Sequence, residues 1–104
     1  MSGVRLERLE PGPAEDAQRR AAGALTRAGL GPGDRVAFCV GSSAALLCCV
    51  LGALRRGVVP VLLNATLLPA ERDALLADAE PAMAVLDESG LAPLLDGPPV
   101  ELAP

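Results

Sequence analysis

Three short runs, at residues 36–40, 58–63 and 82–86, are apolar at nearly every position, and each is set off from the next by a stretch with helical character. A strand buried on one face alternates apolar with polar residues. Runs without alternation belong to strands covered on both sides, which is the habit of parallel sheets. Single helices between such strands make parallel, right-handed crossovers. The expected architecture is therefore α/β, with elements in the order α-β-α-β-α-β around a small parallel sheet. Composition agrees. Apolar residues make up 51% of the 104, yet Phe38 is the single aromatic. A core of Ala, Val and Leu packs best as helix laid on sheet.

The local signals place the elements. Ala14, Ala17, Ala21, Ala24, Leu25 and Ala28 recur at helical spacing, with Glu15/Arg19 and Asp16/Arg20 as i,i+4 pairs on the wet side. This predicts a helix over 14–28, with Glu15 and Asp16 favouring its positive end and Gly29 as its left-handed cap. Gly31 to Asp34 read as a turn before the first strand. Ser42 or Ser43 caps a second, largely apolar helix over 44–56, closed by Gly57. Pro60 has no amide to give a ladder, so a sheet edge or an irregularity is expected in the second strand. Pro69 opens a third helix that stops before Pro81, with Leu68, Leu75, Leu76 and Ala79 on one stripe. One short helical turn is expected around Leu91–Leu95. The division expected is one partial domain over 1–104: a lead-in at 1–13, an α/β unit at 14–88 and a Pro-rich tail at 89–104.

Composition also excludes chemistries. The chain has no His, which removes imidazole bases and His-ligated zinc. All nine basic residues are Arg, so lysine-dependent phosphate loops and Schiff bases are absent as well. Those arginines are scattered and the net charge is −4, which is no footprint for nucleic acid. Cys39, Cys48 and Cys49 lie inside apolar runs with no metal or redox spacing. They read as free, buried thiols of a cytoplasmic protein. The opening MSGVRLERLE lacks the apolar region of a signal peptide.

Several motifs are tempting. The glycines at 29, 31 and 33 close a helix and precede a strand, the reverse of a dinucleotide fingerprint. Gly41-Ser42-Ser43 has the strand–loop–helix order that can hold an anion, but helix capping accounts for it. Asn64-Ala65-Thr66 matches the glycosylation triplet by chance. Residues 36–54 carry Ser42 and Ser43 as their only polar side chains, and Arg55-Arg56 follow. A small membrane protein spanning at 36–54 is one alternative. The Gly-Ser-Ser break at its centre argues for strand and helix instead.

Four phrases in order resemble the start of the adenylate-forming family, whose members include AMP-forming acyl-CoA synthetases. They are GLGPGDRVA (29–37), LGALRRGVVPV (51–61), LNATL (63–67) and LADAEPA (76–82). The family usually has Pro where Ala65 stands, and an Asn-Ser pair where Gly41-Ser42 stand. The resemblance implies the first part of such an enzyme's N-terminal domain. It also implies a parent reaction, in which a carboxylic acid and ATP with Mg²⁺ form an acyl-adenylate and the acyl group passes to coenzyme A. The matched phrases are scaffold in that family. Its Thr/Ser/Gly-rich phosphate loop, Tyr-Gly-x-Thr-Glu phrase, ribose-binding Asp and C-terminal catalytic Lys have no counterpart here, so the expected catalytic, cofactor-binding and metal residues are none. Bound by this chain alone, no cofactor is expected; ATP, Mg and CoA belong to the parent. The expected partner is the remainder of the synthetase, or a second copy, through apolar sheet surface left bare. The alternative in another class is a stand-alone α/β binding or scaffold module.

Overall fold

The computed structural model describes residues 11–102. The order is α1 (Pro11–Arg27), β1 (Arg35–Phe38), α2 (Ala44–Arg55), β2 (Val59–Leu62), α3 (Pro69–Ala79), β3 (Met83–Val85), a 3₁₀ turn (Glu88–Gly90) and α4 (Ala92–Leu95). The strands form one parallel sheet in the order β2-β1-β3. The expected α/β architecture is present, with Pro60 on an edge strand.

Local chemistry explains the boundaries. The first helix starts at Pro11, earlier than the 14 expected, because neither Pro11 nor Pro13 loses a bond in a first turn whose amides have no partner. The expected lead-in at 1–13 is thereby shortened, and residues 1–10 lie outside those described. Glu15 and Asp16 now sit in the second turn, away from the positive helix end. They serve as ion-pair partners instead, Glu15 to Arg19 at 2.9 Å and Asp16 to Arg20 at 2.6 Å. Gly29 and Gly57 take φ of 91° and 75°, the left-handed caps expected of them. Of the two candidate serines, Ser43 caps α2, its Oγ accepting from the Leu46 amide at 3.0 Å. Residues 36–54 thus divide into β1 and α2, and no described helix is long and apolar enough to cross a membrane.

The register sorts the side chains by face. Val36 and Phe38 of β1 pair with Pro60 and Leu62 of β2 and with Met83 and Val85 of β3. This face meets α1, α2 and α4 in a core of Leu25, Val36, Phe38, Cys49, Ala53, Val58, Val85, Leu91 and Leu94. Gly52 lets α1 and α2 approach closely, since a Cβ there would lie 2.6 Å from the Gln18 carbonyl oxygen. Arg55 ties the same helices by donating to Glu15 at 2.7 Å and Gln18 at 3.1 Å.

Two further expectations need correction. The segment from 89 onward is more than a tail: Leu91 and Leu94 are buried in the core, and residues 97–100 strap across α1. Arg20 donates to the Gly97 carbonyl at 2.8 Å, and the Val100 amide donates to the Arg19 carbonyl at 3.2 Å. Gly23 makes room, because a Cβ there would lie 2.7 Å from the Pro98 oxygen. The stripe on α3 does not bury itself, for that helix has no buried residue. It follows β2 and returns past β1 to β3, which by the right-handed rule puts it on the sheet face opposite α2. Arg35, which alternates away from the core face, accordingly reaches the Ala79 carbonyl at 2.6 Å.

Candidate functional site

In parallel α/β sheets, ligands meet the protein beyond the carboxyl ends of the strands. Here that rim is made by Gly41–Ser43 after β1, Leu62 at the end of β2, and Asp87–Glu88 after β3. Among the described residues, two concavities open on it. The larger, of about 580 Å³, lies between the start of α2 and α4; Ser43, Leu91 and Leu95 line it together with the carboxylates of Glu88 and Asp96. The smaller, of about 290 Å³, is an apolar groove of Leu46, Leu47, Val50 and Leu62, with Ser42 and Ser43 at its edge.

The electrostatics of this rim run against a nucleotide. Phosphate needs cations or oriented donors, and no described Arg lines either concavity. The larger hollow presents two carboxylates. Asp87 nearby is held below its ordinary value chiefly by the Ser89 hydroxyl; burial opposes this, and the Gly90 and Ser89 amides add smaller lowering effects. Ser43 Oγ is spent on the Leu46 amide. Among the described residues no group of three or more Cys, Asp or Glu side chains could hold a metal ion. The described residues lining these two concavities therefore do not fit ATP or Mg²⁺.

The other titratable groups have structural work. Cys39, Cys48 and Cys49 are free and buried. Burial, with a smaller contribution from Cys48, pushes the Cys49 thiol up to about 12, and burial raises Cys48 too. Burial of this kind makes both thiols weak nucleophiles. Glu15 is lowered to about 2, chiefly by the hydrogen bond from Arg55 and then by that from Arg19, which outweigh desolvation. Its function is to join α1 to α2. Asn64 Oδ1 accepts from the Thr66 amide and hydroxyl, each at 2.8 Å, which makes the apparent glycosylation triplet a local turn.

The sequence reading did not foresee the Glu15–Arg55 tie or the strap over Gly23. Charge on a wet face announces no partner 40 residues away, and a glycine inside an alanine-rich helix reads as a weak spot. The one available signal was Gly23 itself, since a mid-helix glycine often marks a close approach.

A parallel sheet with helices wound on both of its faces defines an α/β unit. The profile of the AMP-binding enzyme family matches residues 13–101, and the chain belongs to that family. Among solved structures it is similar to a benzoate CoA ligase from Burkholderia xenovorans LB400, at 32% identity and TM-score 0.71 over 79% of this chain and 17% of that one. Apo MatB from Rhodopseudomonas palustris is 32% identical with TM-score 0.74, over 84% of this chain and 18% of that one. The N-terminal domain of FACL13 from Mycobacterium tuberculosis is 29% identical with TM-score 0.71, over 85% of this chain and 24% of that one. The chain thus spans less than a fifth of the ligase and of MatB. No curated protein matches it.

Proposed function

We propose that this chain is the N-terminal scaffold segment of a cytoplasmic AMP-forming acyl-CoA synthetase. The parent reaction joins a carboxylic acid to AMP from ATP with Mg²⁺, then passes the acyl group to coenzyme A, with fatty acid metabolism as its setting. The observation that carries this reading is the family match running from residue 13 to 101, across every described strand and all but the start of α1. The chain is read as one partial domain whose partner is the remainder of the enzyme. No catalytic, cofactor-binding or metal-ligating role is assigned to any of its residues. Its contribution is a rigid parallel sheet against which the catalytic parts are placed, since a site held loosely loses much of its rate. The test is pyrophosphate exchange into ATP with a panel of carboxylic acids. The purified chain should give no exchange above a tag-only control. Robust exchange by the chain alone would refute the assignment of catalysis to other parts of the enzyme.

A further inference from the structure

The helix α2 is apolar around its whole circumference, AALLCCVLGALR, with Arg55 as its only charge. A helix of that kind belongs either in a membrane or between packed layers. Twelve residues cannot cross a bilayer. Two of its three stripes are already covered. Cys49 and Ala53, with Leu46 and Val50 beside them, face the sheet. Cys48 and Gly52 are buried on the side toward α1. The third stripe, Leu47, Leu51 and Leu54, follows the i, i+4, i+7 spacing of a helix-packing ridge, yet Leu47 is 41% and Leu54 54% exposed. Beside it runs the apolar groove that ends on Leu62 of β2, itself 59% exposed.

We propose that this stripe and groove seat an amphipathic helix supplied by the part of the AMP-binding enzyme fold that lies outside this chain. The inference rests on the functional reading above and adds the place and the form of the contact. A helix fits better than a strand because of how β2 is turned. The Val59 and Leu63 amides point inward, to the Asp34 and Phe38 carbonyls at 2.7 and 2.8 Å. Alternation then turns Pro60 and Leu62 outward, and Pro60 has no N–H, so a joining strand would find one donor where it needs two. A ridge of leucines asks for side chains in return. The remainder of the enzyme is favoured over a second copy by length, because the chain spans only 17–18% of the ligase and MatB structures. A segment on the same polypeptide meets the groove at an effective concentration on the order of millimolar.

The experiment mixes the full 104-residue chain with Rhodopseudomonas palustris MatB lacking its matching segment. Complex formation is followed by sedimentation velocity and pyrophosphate exchange in the same samples. Leu47→Glu and Leu54→Glu alter exposed positions, and far-UV circular dichroism verifies that each still folds. Thr26→Glu, exposed on α1, is the control. The wild-type chain and T26E should form a complex that L54E and L47E weaken about tenfold or more. Equal binding by the leucine variants overturns the docking site, as does absence of any complex. A homodimer that L54E dissolves, with no complex, also overturns it and installs a second copy as occupant. A leucine-dependent complex without exchange sinks the functional reading and leaves the docking site standing. Exchange that L54E does not reduce does the reverse.

Discussion

The two faces of the sheet are built from similar sequence and come to different ends. On one, β1 meets α1, α2 and α4, and Val36, Phe38, Cys49, Ala53 and Val58 are all nearly inaccessible. On the other, α3 buries none of its residues, and Val59, Leu75 and Leu86 are each more than 40% exposed. Apolar patterning alone therefore does not decide burial. What decides it is how many elements converge on a surface. Three helices converge on the first face, locked by Gly52 and the Glu15–Arg55 pair, and a single crossover covers the second. Central β1 is buried on both faces because it has neighbours on both sides, while β2 on the edge has one.

That contrast can be broken first in the closed face. Phe38→Ala should cost about 3–5 kcal/mol, enough to unfold much of a domain of this size, because it empties the centre of the core. Urea unfolding measures it; a loss below about 1 kcal/mol would mean the closed face is not the core. Ser43→Ala should cost about 1 kcal/mol through the Leu46 amide it leaves without a partner. On the open face, Leu75→Ala should change stability by less than about 0.5 kcal/mol. A loss comparable to that of F38A would show that α3 packs as tightly as α2. The smallest effect concerns pH. Glu15 is depressed in the folded state, so its contribution is fully present above its ordinary value of 4.5 and declines as pH falls toward about 2. Stability of Glu15→Gln should therefore lose part of the wild-type slope between those limits. Identical slopes would remove Glu15 from the α1–α2 tie.

Much of the closed face was legible because its signals are local. Ser43, Gly29 and Gly57 each mark an end through their own backbone chemistry, and the unalternating strands announced a parallel sheet. The start of α1 was less legible because Pro11 and Pro13 both suit a first turn, so neither marks which begins it. The burial of Leu91 and Leu94 was hidden behind a Pro-rich context, since only the fold shows that α1 lies above them. The α3 stripe misled for the same reason: Leu75 and Leu76 have helical spacing, but spacing does not say whether a second layer is there to receive it. Of the candidate site, the sequence shows composition without placement: it holds neither Lys nor His. The carboxylate-lined hollow needed the fold to bring Glu88 and Asp96 together.

The most direct test of the two-face account is native-state hydrogen exchange on the 104-residue chain, read amide by amide. Amides of β1, α2 and the middle of α1 should exchange only through global unfolding. Those of α3 should exchange through local opening, at least about tenfold faster and insensitive to low denaturant. Protection of α3 equal to that of α2, with the same denaturant dependence, would contradict the account.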